Sequence, residues 1–460
     1  MIDVLCPYDN SLIKSVAMQD AADADHMLAT ATALFKNRDG WLEPHQRIAI
    51  LNRLAELVSA EADDFAMLIA SEGGKPLVDA NVEVARAIDG IHLAVKELPH
   101  IMRGEEIPMG LTPATEHRYA STQYEPIGVV LALSAFNHPL NLIVHQVIPA
   151  VAVGCPVIVK PASKTPLCCL RLCELLNQAG LPEGWCQPII CNNAVAEKLA
   201  TSRNINFMTF IGSAKIGWML KSKLAPGVRC ALEHGGVAPV IIDEDVDLNT
   251  VIPSLSKGGF YHAGQVCVSV QRVYAPKSLV RELATQLAEA AKQLKVGDAR
   301  LPDVDVGPLI DPREVVRVGE WVDEAVNAGA ELICGGKALS ETTFAPTVLL
   351  DPPETARIST SEVFGPVVCV YSYDDRLEAI ERANALDFAF QAAVYTNNLD
   401  VASDTIRRLD ATAVMVNEHT AFRADWMPFA GRRSSGYGIG GIGYTMHDMV
   451  QPKMAVYKLR

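Results

Sequence analysis

Residues 129–161 read VVLALSAFNHPLNLIVHQVIPAVAVGCPVIVKP. A short β-rich run, VVLALSAF, passes into an apolar stretch that reads as a helix starting near Pro139, and then into a second β-rich run, CPVIVKP. The same alternation continues outward through WCQPIIC (185–191), FMTFIG (207–212) and APVIID (238–243). Strands separated by helices in this way indicate a parallel sheet with helices on both faces. A second alternating unit runs from Gly258 to about Val416, with VVCVYSY (367–373) and AVYT (393–396) as strands. Upstream, from Asp23 to about Glu97, the apolar spacing is helical, as in HQRIAILNRLAELV (45–58). Residues 102–130 alternate more and hold turn residues, so they read as extended, with a two-stranded ribbon near His117 to Glu125. KMAVYKLR at the C-terminus reads as a final strand, which either joins subunits or completes an internal sheet.

A chain of 460 residues favours two or three domains. Its longest apolar run, Leu142 to Val159, is interrupted by His145, Gln146, Pro149 and Pro156, so no segment is expected to span a membrane. The N-terminus lacks the basic flank and apolar core of a signal peptide, and the simplest localisation is the cytoplasm. A formal charge of −14 argues against nucleic acid or an anionic membrane as the main partner. Eleven cysteines, an odd number, point to reduced thiols. Cys168, Cys169 and Cys173 lie on a helical stretch without matching histidines, which favours helix packing, and no metal site is expected. The acidic run DEDVDLNTV (243–251) lacks the glycine and terminal glutamate of a cation loop and reads as the cap of a helix starting near Leu248. Arg432 and Arg433 read as solvated surface.

Cys267 lies in FYHAGQVCVSVQRV, where a cysteine among small and apolar residues is ordinarily a small buried hydrophobe. Its context changes that reading. GQVC resembles the nucleophile motif of the aldehyde dehydrogenase superfamily. ALEHGG, with Glu233, resembles the family's E-L-G-G segment, and SAFNHPL, with Asn137, its P-W-N-x-P segment. VIVKPASKTP, with Lys160, resembles the K-P-A/S motif, and FIGSAKIG the phosphate loop, with Ile211 in place of threonine. EVFGPVV, with Glu362 and Phe364, matches as it stands, and MPFAGRRSSGYG resembles the late P-F-G-G-x-x-x-S-G motif. Seven motifs in the family's order cover nearly the whole chain.

This resemblance implies a doubly wound NAD(P)-binding domain from residues 1–107 and 127–235, an α/β catalytic domain over 236–445, and an oligomerisation ribbon from 108–126 and 446–460. It also implies a homodimer or homotetramer. The cofactor is NAD or NADP, and the substrate an aldehyde oxidised to the acid. Cys267 is the implied nucleophile. Asn137 and the backbone N–H of Cys267 would stabilise the oxyanion, and Glu233 would be the general base. Lys160, Ser163, Ser134, Phe136, Gly212, Ser213, Ile216, Gly235, Glu362 and Phe364 are the implied cofactor contacts. Gly212 and Ser213 open a helix whose N–H groups meet phosphate. Two alternatives accompany the leading one: a dehydrogenase that passes the acyl group to coenzyme A, and a non-catalytic structural relative. Retention of Glu233 counts against the first; retention of Cys267, Asn137 and Glu233 counts against the second.

The substrate side is read from charge and spacing. His138, Asn141 and His145 fall on one helix face. Arg423 lies six residues before Phe429, and Arg86 is on the helical run VEVARAIDG. Histidines and arginines around a pocket mouth suit a short polar or anionic aldehyde, with arginine matched to carboxylate, phosphate or phosphonate. FNHPLNLIVHQ and the late motif look most like the phosphonoacetaldehyde dehydrogenase branch and its relatives. Two positions depart from the family. Met446 stands where many relatives have a glutamate that assists proton transfer. Ser163 and Lys164 stand where strongly NAD-selective relatives have a glutamate. Loss of that negative charge beside a lysine predicts that NADP+ is accepted. Measured kcat/KM values for the two cofactors should therefore lie within about a hundredfold, roughly 2.7 kcal/mol; a larger preference for NAD+ would overturn this.

Overall fold

A computed structural model describes all 460 residues. The run Val130–Leu133 is the centre of a six-stranded sheet. It pairs in parallel with Val157–Lys160 on one side and Phe207–Ile211 on the other, and all four of its residues are buried. A continuous apolar run suits a strand covered on both faces. Cys186–Pro188 and Arg229–Glu233 extend this sheet in parallel, and Gly436–Tyr437 adds an antiparallel edge. The second sheet has seven strands and centres on Arg272–Pro276 and Pro239–Ile242; only its edge strand Glu331–Cys334 is antiparallel. No helix is long and apolar enough to cross a membrane.

Helix Asn141–Val153 is apolar on nearly every face and lies between the first sheet and the long helix Leu77–Ile101. It ends at Gly154, whose φ of 89° is the left-handed cap that glycine adopts without strain. Its first N–H groups have no partner within the helix. The buried Glu83 carboxylate, on Leu77–Ile101, accepts from the backbone N–H of Leu140 and of Asn141, both at 3.0 Å. Glu83 is in turn paired with Lys75, and both side chains are almost wholly buried. Glu72 repeats the arrangement, accepting from Leu167 N at 2.7 Å and Cys168 N at 2.9 Å at the start of helix Leu167–Gln178. Asp247 caps helix Leu248–Phe260 as expected from the acidic run. Cys168, Cys169 and Cys173 are buried on their helix, and Cys173 Sγ is 3.6 Å from Cys186 Sγ.

The structure corrects several expectations. An N-terminal hairpin pairs Ile2–Leu5 with Leu12–Val16, where no strand was read. The expected two-stranded ribbon is part of a three-stranded sheet. Arg118–Pro126 pairs along its length with Val450–Lys458 of the same chain and also with Glu106–Ile107, just before the expected boundary. The end of the span expected to be catalytic packs elsewhere: Gly436–Tyr437 joins the first sheet, and Ile442 is buried with the helices beside it, as is Met446 at the start of the segment expected to join the ribbon. Arg432 and Arg433 are exposed but pinned, both pairing with Asp410.

Removing Glu83 would leave the Lys75 ammonium buried without a counter-charge and two helix N–H groups without an acceptor. Glu83→Ala is expected to cost about 3–5 kcal/mol, read as a lower urea-unfolding midpoint; an unchanged midpoint would contradict this account.

Candidate active site

Helix Leu248–Phe260 ends in a turn in which His262, Ala263 and Gly264 all have left-handed backbone, with φ of 49°, 54° and 68°. Two such non-glycine residues in succession are costly, so the surroundings must hold them. A Cβ on Gly264 would come within 2.1 Å of the Gly365 carbonyl oxygen. The buried Gln265 fastens the next step. Its Nε2 donates to Pro308 O at 3.2 Å, and its Oε1 accepts from Ile310 N at 2.9 Å. Its backbone carbonyl accepts from Asn137 Nδ2 at 3.0 Å. One amide hydrogen of Asn137 is therefore used, and Asn137 lines the same cavity as Cys267. The turn presents Cys267 to a cavity of about 490 Å³. Cys267 is partly exposed, whereas the other ten cysteines are buried.

Glu233 is the last residue of strand Arg229–Glu233, and its Oε1 lies 3.9 Å from Cys267 Sγ. The carboxylate therefore rests toward the thiol. Burial raises Glu233 to about 7, opposed by Arg423 and by the thiol hydrogen bond. Burial, with Glu233 and Glu362 nearby, pushes the Cys267 thiol well above its ordinary value. The resting pair is thus a protonated thiol beside a carboxyl that titrates near neutrality. Met446 is fully buried and does not line the cavity.

The cavity continues along the first sheet past Ser134, Phe136, Gly212, Ser213, Ile216, Gly235, Glu362 and Phe364. Ser213 stands at the N-terminus of helix Ala214–Ser222 with its side chain unbonded. Phe136 and Phe364 meet edge to face at 5.8 Å. Gly235 is required by contact, since a Cβ there would fall 1.8 Å from Glu362 Oε1. Burial raises Glu362 to about 8. Glu362 Oε1 and Ser134 Oγ are buried without a partner. Orphaned polar atoms beside a helix N-terminus fit a ligand that brings hydroxyls and phosphates together. Lys160 and Ser163 do not line the cavity. Lys160 Nζ donates to Pro161 O at 3.3 Å, and Ser163 is exposed. Lys164, the cation expected to favour a 2′-phosphate, is paired with Asp311 at 2.8 Å.

All six predicted substrate residues line the cavity, but four already have partners. Arg86 grips Asp425 with a fork, Nε to Oδ2 at 3.0 Å and Nη2 to Oδ1 at 2.7 Å. His145 Nε2 is 2.7 Å from Asp425 Oδ1, and Asn141 Nδ2 donates to the same oxygen at 3.3 Å. Burial would raise Asp425, but His145 and Arg86 hold it well below the usual carboxylate range. His138 is engaged by Lys75 and Tyr261 rather than turned freely to the mouth. The reading of Arg86, Asn141, His138 and His145 as free substrate contacts is corrected accordingly: a buried carboxylate gathers three, and a buried lysine holds the fourth. Arg423 instead makes no salt bridge. It donates to Met427 O at 2.8 Å and stacks 4.2 Å over the Phe429 ring. Burial lowers it only to about 10, so it remains a cation.

Sequence reasoning did not single out Gln265, Tyr261 or His234, and it offered Asp425 only as a partner for Arg423, whereas Asp425 pairs with Arg86. Gln265 and His234 sat inside quoted motifs, and Asp425 two residues after Arg423; their partners are distant in sequence, so spacing carried no signal. His234 is buried against Phe210 and Trp218, with Nδ1 2.8 Å from Gly212 O.

The family model described as "Aldehyde dehydrogenase family" matches residues 1–455. The chain is 34% identical over 460 residues to 3-sulfolactaldehyde dehydrogenase of Priestia aryabhattai, covering all of this chain and 95% of that one. It superposes with a TM-score of 0.95 and 33% identity on aldehyde dehydrogenase 21 of Physcomitrella patens in complex with its product succinate, covering 99% and 95% of the two chains. Glyceraldehyde-3-phosphate dehydrogenase of Methanocaldococcus jannaschii, complexed with NADP, gives 0.93 and 31%, covering 100% and 99%.

Since Cys267 is the one cysteine that is not buried, iodoacetamide should label about one thiol per native chain. Cys267→Ala should abolish that label in peptide mapping; a second fast-reacting site would contradict the burial pattern.

Proposed function

This chain belongs to the aldehyde dehydrogenase family, and from that premise we propose that it oxidises a short anionic aldehyde to its carboxylic acid through a thioester on Cys267. Glu233, titrating near 7, takes the thiol proton as sulfur attacks the carbonyl carbon. The second amide hydrogen of Asn137 and the Cys267 backbone N–H would stabilise the oxygen that becomes negative; Asn137 and Cys267 line the same cavity. NAD(P)+ when bound supplies the hydride acceptor, and the relative complexed with NADP supports that assignment. Glu362 and Ser134 would hold its hydroxyls, and the N–H groups of the Gly212–Ser213 turn would hold its phosphates. Once the thioester has formed and Glu233 has released the thiol proton to solvent, its carboxylate deprotonates the water that hydrolyses the thioester. A carboxyl so close to the sulfur favours hydrolysis over transfer to coenzyme A.

The observation that carries the substrate class is the unpaired Arg423. The other guanidinium lining the cavity, Arg86, is neutralised by Asp425, so an incoming anion meets one guanidinium without a salt bridge. The relatives' names are consistent with this: a sulfonated aldehyde, a phosphorylated aldehyde and the dicarboxylate succinate. Phosphonoacetaldehyde belongs to the same class. The outer edge of Val450–Lys458 is unpaired, with Met454, Val456 and Tyr457 exposed, which supports pairing with a second copy of the chain in a dimer or tetramer.

Two measurements test this reading. The kcat/KM should rise with pH as Glu233 loses its proton, with an apparent pKa near 7. Glu233→Gln should remove that limb and lower kcat by roughly 10²–10⁴-fold; a retained limb would assign the base elsewhere. Arg423→Leu should lower the kcat/KM ratio of succinic semialdehyde or glyceraldehyde 3-phosphate to propanal by about 10–100-fold. An equal loss on all three would remove the anion from the proposal.

A further inference from the structure

A buried polar chain, Glu83–Lys75–His138–Tyr261, runs from the helix layer to the cavity and takes no part in the chemistry above. Lys75 Nζ is paired with Glu83 and lies 2.7 Å from His138 Nδ1. An ammonium has only donors, so Nδ1 must accept and the ring proton must sit on Nε2. His138 Nε2 is 3.4 Å from Tyr261 Oη. Nε2–H therefore donates to the phenol oxygen. The phenol keeps its own hydrogen, and no acceptor for it is present in the protein. Burial lowers His138 to about 4 and pushes Tyr261 well above its ordinary value, so both are neutral. Tyr261 packs on the same apolar patch as Cys267, with Val266 and Phe429. The Lys75 and Lys257 ammonium groups lie 5.9 and 5.1 Å from the ring centre and keep the ring oriented.

We infer that the Tyr261 hydroxyl is a substrate-recognising donor, aimed by His138 and Lys75, and that it selects aldehydes carrying a hydroxyl on the carbon next to the carbonyl. A half-buried O–H without an acceptor in a largely apolar cavity is unfavourable, and a ligand oxygen beside the reacting carbon relieves that. An aldehyde with hydrogen there leaves the donor unpaired, and discrimination of this polar kind exceeds what apolar pockets achieve. Arg423 reads the anion and Tyr261 the hydroxyl, so two separate groups set specificity. Tyr261 contacts the substrate; His138 and Lys75 are positioning residues.

This inference rests on the cavity being the aldehyde site, so its test uses a pair that differs only in the hydroxyl and carries no anion. In Tyr261→Phe, the kcat/KM ratio of lactaldehyde to propanal should fall about 10–100-fold. His138→Phe, which frees the hydroxyl to rotate, should lower the same ratio by a smaller factor. A purely structural role would change both substrates together and leave the ratio where it was, which would overturn the proposal. Calorimetry on Cys267→Ala separates this from failure of the functional reading. Lactate should bind more tightly than propionate, and Tyr261→Phe in that background should erase the difference. Equal binding of the two acids before the substitution would also overturn it, whether or not any aldehyde is turned over.

Discussion

The buried ion pair of Lys75 with Glu83 governs the geometry on which the site depends. Two charges out of water are tolerable only when each is fully bonded. Glu83 meets that condition by accepting the first N–H groups of the helix that follows Asn137, and Lys75 by reaching His138. One pair therefore sets where that helix begins, where the Asn137 amide sits and which nitrogen of His138 carries the proton. Glu72 does the same work at a neighbouring helix start. In both cases a distant carboxylate replaces the local cap.

Charge in the cavity is organised by a second buried carboxylate. Asp425 takes the fork of Arg86, the imidazole of His145 and the amide of Asn141. Asp425 neutralises Arg86 and leaves Arg423 as the guanidinium at the cavity without a salt bridge. Burial raises Glu233 to about 7 and Glu362 to about 8. A protonated thiol beside a base near 7 avoids the cost of a buried thiolate until a carbonyl arrives. The Lys164–Asp311 pair carries a related lesson for the cofactor. A lysine next to Ser163 reads in sequence as a free positive charge, yet an acid from the other half of the chain already neutralises part of it.

Strain and close approach explain why certain residues are small. The left-handed turn at His262–Gly264 turns the chain so that Gln265 and Cys267 face the cavity, and Gly264 must lack a side chain to clear Gly365. Gly235 lets the Glu362 carboxylate come close enough to sit beside Glu233's strand. These are packing requirements whose outcome is functional geometry.

The sequence by itself determined the doubly wound character of the fold, because apolar strands such as Val130–Leu133 must be covered on both faces. It also determined the family resemblance, through motifs whose chemistry depends on residue type and order. Strands with charged ends, among them Arg229–Glu233, and the hairpin Ile2–Val16 were not legible, since short segments take their strand state from partners far away in the chain. Only the tertiary structure decided which of six candidate side chains remains free for a ligand. That outcome depends on Asp425, remote in sequence from Arg86, Asn141 and His145, and on the Glu83–Lys75 pair that holds His138, and Coulomb attraction follows distance in space rather than order along the chain.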